Sequence, residues 1–86
     1  MSLSRLLARC PRLSHIEMAG VDVPADFTCA LLKAVSRLKY IDFSFCKGVK
    51  PSDINAIIER FPTVEIHAFG LDLAGVEQGD SALLIF

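Results

Sequence analysis

Apolar residues in this chain recur at a constant interval. Three short segments alternate apolar and polar positions, as a strand with one buried face does. The centres of these segments are Ile16, Ile41 and Ile66, which are evenly spaced. Leu13 and Leu38 keep the same interval, whereas Val64 comes one position later than that interval predicts, so the third copy contains a slip. The pattern therefore predicts three strands in three copies of one unit.

Helical periodicity fills the intervals between the predicted strands. Apolar residues spaced i, i+3, i+4 and i+7 define one helix face in each of three sets: Leu3, Leu6, Leu7 and Cys10; Phe27, Ala30, Leu31 and Ala34; and Ile54, Ile57, Ile58 and Phe61. The first set predicts a helix over 2–10. Pro51 suits the first turn of the last helix, and Ser52 or Asp53 is predicted to help cap it. Segment 80–86 is predicted to be a short helix or tail, because its apolar pair continues the spacing of the preceding helix.

The length limits the number of domains, because 86 residues suffice for one small domain. We expect a single α/β domain over 1–86, with units that begin near residues 11, 36 and 62. A unit of this size cannot bury its own apolar face, so neighbouring units are expected to stack.

The segment "RLKYIDFSFCKGV" matches the pattern L-x-x-L-x-L-x-x-N/C through Leu38, Ile41, Phe43 and Cys46. The first copy matches it through Leu13, Ile16 and Met18, with Val21 in place of the cysteine. The chain thus resembles the cysteine-containing leucine-rich repeats of F-box proteins, and "IIERFPTVEIHAFGLDL" resembles the closing repeat of proteins related to ATP synthase subunit s. The resemblance implies a short solenoid of about three repeats of 25–26 residues, with a parallel sheet on one face and helices on the other. The segment "IEMAGVDVPADFTCALLKAV" is also similar to STAS regulatory domains, which would give a small open α/β sheet instead.

The cysteines are interpreted as structural. Cys10, Cys29 and Cys46 are odd in number and widely spaced, without a CxxC pair, so neither a zinc site nor a disulfide framework is expected. Cys46 is predicted to be a small buried side chain whose S–H can reach nearby backbone. Free thiols favour a reducing intracellular compartment, either the cytoplasm or, given the arginine-rich start, mitochondria.

Alternation along the strands predicts a polar face. If Ile16, Ile41 and Ile66 point inward, their neighbours point outward in two rows: His15, Tyr40 and Glu65, and Glu17, Asp42 and His67. We interpret this concave face as a partner-binding site anchored by Tyr40, since tyrosine is favoured at binding hot spots. The alternatives are a solvated face and a metal site built from His15, Glu17, Asp42 and His67. Phe45 and Phe69 follow the strands, and both partner contact and packing against a neighbouring loop remain open for them.

Composition argues against several functional classes. The net charge is −1, and Lys33, Arg37 and Lys39 are interspersed with acids, so nucleic-acid binding is not expected. Apolar runs are far shorter than the roughly 20 residues of a membrane span. No motif for catalysis or for a cofactor is recognised, and we expect neither an enzyme nor a metal or cofactor.

The sequence thus favours a non-catalytic protein–protein interaction module, a subunit or recognition segment of a larger complex. Self-association through the apolar ends is a further expectation, because solenoid ends need covering. A ubiquitin-ligase substrate-recognition segment and a STAS-like regulatory domain are the alternatives. In the latter, Ser52 would be phosphorylated at a buried helix start beside an open sheet edge.

Overall fold

A computed structural model of the chain describes residues 3–10, 12–77 and 81–86. The described residues form three helices and four strands. In chain order these are α1 (Leu3–Ala8), β1 (His15–Glu17), α2 (Phe27–Ala34), β2 (Tyr40–Asp42), α3 (Pro51–Arg60), β3 (Glu65–His67) and β4 (Leu83–Ile85).

The four strands form one parallel sheet in the order β1-β2-β3-β4. Ile16 pairs with Ile41, and Ile41 pairs with Ile66, as their even spacing in the sequence predicts. The predicted small α/β fold with a parallel sheet is therefore confirmed.

The prediction of a helix or tail at the C-terminal end is wrong, because Leu83–Ile85 is a strand. A short apolar run cannot be assigned to helix or strand by periodicity alone. The open edge of β3 decides the outcome, since Leu83 N–H donates to the Val64 carbonyl at 3.0 Å and Ala68 N–H donates to the Ile85 carbonyl at 2.8 Å. Residue 80 of the predicted segment lies outside the described residues.

The helices form where the apolar periodicity places them. In α3 the isoleucines at positions 54, 57 and 58 are all buried. Pro51 occupies the first turn, and the Asp53 carboxylate accepts a hydrogen bond from Lys50 N–H at 2.9 Å, so Asp53 rather than Ser52 caps this end. The first helix, predicted over 2–10, ends at Ala8, shortly before Pro11, a residue type that disfavours helical backbone before it; residue 2 lies outside the described residues.

The two faces of the sheet differ in burial. Ile41 and Ile66 are completely buried, and Ile16, on the edge strand β1, is half-buried. These central residues pack into the same apolar cluster as Phe27 and Leu31 of α2. Because α2 contacts both α1 and α3, the helices form one layer on this side. In the described part of the chain, the outward-pointing residues of the strands form a second face without a helix over it, which we call the open face.

Each helix in the described ranges is too short, or not apolar enough, to traverse a bilayer.

Candidate protein-interaction face

The open face gathers the six residues that the sequence proposes as a partner site. His15, Tyr40 and Glu65 are register partners across β1, β2 and β3. Glu17, Asp42 and His67 form the second row, and β4 extends the two rows with Leu83 and Ile85. The rows are adjacent because parallel strands lie about 4.8 Å apart and side chains two positions apart share a face.

Four rings follow one another across this face, and we call them the aromatic series: His15, Tyr40, His67 and Phe69. The His15 and Tyr40 rings stack with centroids 4.2 Å apart and planes 5° from parallel. Tyr40 and His67 are 4.9 Å apart and tilted by 49°, and His67 meets Phe69 edge-on at 6.3 Å. The series crosses three strands, so the sheet itself holds the rings in place.

Carboxylates flank the aromatic series. Glu17 lies 3.1 Å from His15 Nε2, and Glu65 lies 2.6 Å from His67 Nε2, so each imidazole has a carboxylate partner; the pair at His67 is the less exposed of the two. Asp42 accepts a hydrogen bond from Ser44 N–H at 2.8 Å. Partial burial, and then the charges of the three surrounding carboxylates, raise the pKa of the Tyr40 phenol above its ordinary value. Tyr40 is therefore a neutral hydrogen-bonding group at physiological pH, set among negative charges.

The geometry does not favour the alternative metal site. His15 and Glu17 lie on β1, whereas His67 lies two strands away on β3, about 10 Å across the sheet, with Tyr40 between them. Over the described ranges, no three His, Cys, Asp or Glu side chains are grouped so that they could hold a metal ion.

The turn after β2 carries an exposed aromatic residue in a strained conformation. Phe45 has φ 60° and its side chain is 67% exposed. Gly20 and Gly70 follow β1 and β3 by three residues, as Phe45 follows β2, and both have φ 77°. Left-handed backbone is easy for glycine and costs other residues about 1–2 kcal/mol. The ring lies against Gly70, where an added Cβ would be 2.7 Å from Phe45 Cδ1.

Phe69, which ends the aromatic series, is joined to this turn. Its carbonyl accepts from Phe45 N–H at 2.7 Å, and its own N–H donates to Ser44 Oγ at 3.1 Å. Its side chain is 42% exposed. Of the two uses left open for these phenylalanines, the structure shows packing for Phe45, whose ring lies against the turn at Gly70 while most of the side chain is exposed beside the open face. Partner contact stays a prediction for both.

Cys46 links two turns of the fold. It is buried, and its Sγ donates to the Met18 carbonyl at 2.9 Å. Burial raises the pKa of the thiol, and the negative charge of Asp42 acts in the same direction, against the lowering effect of the Val21 and Gly20 backbone N–H groups. A neutral thiol in this position stabilises the packing of one turn on the next, and all three cysteines are free.

Sequence reasoning missed a basic groove at the other end of the strands. A cavity of about 240 Å³ lies between the loop before β2 and the loop before β3. It is lined by Ser36, Arg37, Leu38, Lys39, Arg60, Phe61, Pro62 and Thr63. Arg37 and Lys39 lie in the connection from α2 to β2, and Arg60 ends α3 just before the connection to β3. The cations look interspersed with acids along the chain, but the two helix-to-strand connections bring them together. Aligning those connections is the signal that could have found the groove.

Ser52, the candidate phosphorylation site, is exposed in the first turn of α3. This helix connects β2 to β3, the two inner strands of the sheet, so Ser52 is neither buried nor next to an open sheet edge.

Comparison with known proteins adds no relative: no family model matches the chain, and neither the curated proteins nor the solved structures provide a significant match.

Proposed function

We propose that this chain is a non-catalytic protein–protein interaction module, a subunit or recognition segment of a larger complex, and that the open face is its docking surface. The aromatic series carries the proposal. Interfaces concentrate their binding energy in a few aromatic anchors that ordered neighbours hold in place. Tyr40 fits this role, since it stacks on His15 at 4.2 Å and contacts His67 at 4.9 Å in a region no helix of the described residues covers.

Phe45 adds a second line of support. A residue that keeps a strained backbone and exposes most of an aromatic ring contributes little to folding, and such strain is concentrated at functional positions. The Phe45 ring and Phe69 extend the aromatic series past the end of β2 and β3 with apolar surface. A partner lying on the open face would bury both rings.

The outer edge of the sheet, at β4, supports the proposal that the chain is part of a larger complex. Within residues 3–10, 12–77 and 81–86 no strand pairs with the far side of β4, and Leu83 and Phe86 are 51% and 71% exposed. An uncharged apolar strand edge invites pairing with another strand. Self-association at this edge is thus part of the proposal for how the module joins a complex.

We further propose that the fold is a short leucine-rich-repeat solenoid. The equal registers of Ile16, Ile41 and Ile66 support it, as does the thiol of Cys46, which joins the turn of one copy to that of the preceding copy. The sequential strand order is also that of stacked units, whereas doubly wound sheets reverse direction within the order. The exposed position of Ser52 gives the STAS-like regulatory alternative little support, and a ubiquitin-ligase recognition segment would be one form of the proposed module.

The proposal is tested by site-specific photo-crosslinking in cells. A benzoylphenylalanine at position 40 should crosslink to a defined protein, whereas the same group at Lys33, exposed on α2 in the helix layer, should not. The partner, identified by mass spectrometry and purified, is then titrated against the wild-type chain and against Phe45→Gly.

We expect Phe45→Gly to weaken binding by tenfold or more, about 1.4 kcal/mol or above, as loss of an interface aromatic does. Equal crosslinking from positions 40 and 33, or unchanged affinity of both Phe45→Gly and Tyr40→Ala, would show that the open face is not the docking surface.

A further inference from the structure

We infer that the groove between residues 36–39 and 60–63 is a binding site for a phosphate group, separate from the open face. Its polar lining consists of three cations and two hydroxyls, with no carboxylate. The cations are Arg37, Lys39 and Arg60, and the hydroxyls belong to Ser36 and Thr63. Guanidinium, ammonium and hydroxyl donors together match the acceptor oxygens of a phosphate monoester.

The cations have no acidic partner in the described part of the chain. The ion pairs found there are the two His–Glu contacts of the open face. Arg60 is held over the Phe61 ring, with its guanidinium carbon 5.0 Å from the ring centroid, a cation–π contact that leaves its N–H groups available. Three like charges around one small groove repel each other, and a dianion would relieve that repulsion.

Backbone hydrogen bonds fix the groove before any ligand arrives. Lys39 N–H donates to the Ser14 carbonyl at 2.8 Å, and the Lys39 carbonyl accepts from Glu65 N–H at 2.8 Å. On the other wall, Phe61 N–H donates to the Ile57 carbonyl at 2.8 Å. Leu38 and Phe61 are buried and form the apolar floor. A preformed site loses less entropy on binding than one that must order its loops.

The size of the groove limits the ligand. A volume of about 240 Å³ is below the roughly 300–1,000 Å³ of pockets that enclose drug-sized molecules. It accommodates a phosphate group and the first atoms attached to it, which leaves two sources, free phosphate and the monoester of a phosphorylated side chain.

The test is a titration of the ¹⁵N-labelled chain with inorganic phosphate, followed by amide chemical shifts at constant ionic strength set with sodium chloride. A series from about 0.1 mM to about 50 mM spans the affinities expected of one open small-anion site. We expect saturable shifts confined to residues 36–39 and 60–63. A parallel titration with O-phospho-L-serine distinguishes the sources, since tighter binding of the monoester indicates a phosphorylated side chain and equal binding indicates free phosphate.

Matched variants separate a site from general charge attraction. Lys39→Gln and Arg37→Gln should each weaken phosphate binding about fivefold, the upper range for one exposed charge. Lys47→Gln removes the same charge from an exposed lysine outside the groove and should leave the affinity unchanged. Shifts that fail to saturate, or an equal effect of Lys47→Gln and Lys39→Gln, would overturn the proposal.

Discussion

Replacing Phe45 should reverse the usual stability order of alanine and glycine. Phe45→Ala keeps the left-handed backbone at φ 60° and loses the packed part of the ring. Because the side chain is 67% exposed, about a third of a phenylalanine's burial is lost, or about 0.5–1 kcal/mol. Phe45→Ala is therefore expected to lower the free energy of unfolding by that amount.

Phe45→Gly loses the same contact but releases the backbone strain. Relief of left-handed strain contributes about 1–2 kcal/mol, and the greater freedom of glycine in the unfolded chain removes about 0.5–1 kcal/mol of it. The remaining gain of about 0.5–1 kcal/mol offsets the lost contact. The glycine variant should therefore match the wild-type chain and exceed Phe45→Ala by about 0.5–1 kcal/mol.

Urea unfolding of the wild-type chain and the two variants measures this order, provided that the m-values agree. Ala56→Gly, within α3, is the control for the ordinary order and should cost about 1 kcal/mol. If Phe45→Gly were less stable than Phe45→Ala by the usual margin of about 0.5–1 kcal/mol, the left-handed backbone at this turn would not be a source of strain.

Two further predictions concern the turns. In Gly20→Ala the added Cβ meets nothing within 4 Å, so the variant should lose about 1–2 kcal/mol of unfolding free energy for φ +77° alone. Gly48→Ala, at φ +87°, also places its Cβ 2.6 Å from the Val23 carbonyl oxygen and should lose at least about 1 kcal/mol more. Urea unfolding measures both losses, and equal losses would contradict that contact. Cys46→Ala removes the thiol that donates to the Met18 carbonyl, which keeps its hydrogen bond from Val21 N–H at 3.2 Å, so the variant should cost about 0.5–1.5 kcal/mol at pH 7. Folding raises the pKa of the Cys46 thiol. The stabilisation that the neutral thiol provides is therefore complete below its pKa in the unfolded chain, about 8.5, and is lost as the pH rises through its pKa in the folded chain. The stability difference between the wild-type chain and Cys46→Ala should therefore shrink above about pH 8.5, and a constant difference up to about pH 10.5 would refute the assignment.

Periodicity was sufficient to predict the core of the fold. Ile16, Ile41 and Ile66 pair in the register that their even spacing in the sequence predicts. The buried face of α3 was also predictable from the sequence, since Ile54, Ile57 and Ile58 are all buried. The C-terminal strand β4 could not be predicted in this way, because a short apolar run shows no periodicity. Its conformation is set by hydrogen bonds to β3, which is distant in sequence.

The rows of the open face also follow from the sequence, as strand alternation and the repeat interval together place His15 beside Tyr40 and Asp42 beside His67. Ring stacking does not follow, because the 4.2 Å contact between His15 and Tyr40 depends on rotamers that neighbouring strands impose.

What the sequence by itself determined is which residues share a strand face, a helix face or a row, since these relations depend only on the period of each element. What only the tertiary structure decided is which groups meet between neighbouring strands and turns: the strained ring of Phe45 against Gly70, the thiol of Cys46 on the Met18 carbonyl, and the cations before β2 and β3 around one groove. These contacts depend on how neighbouring strands and their turns pack side by side in the sheet, and that arrangement is set by the packing of the whole core.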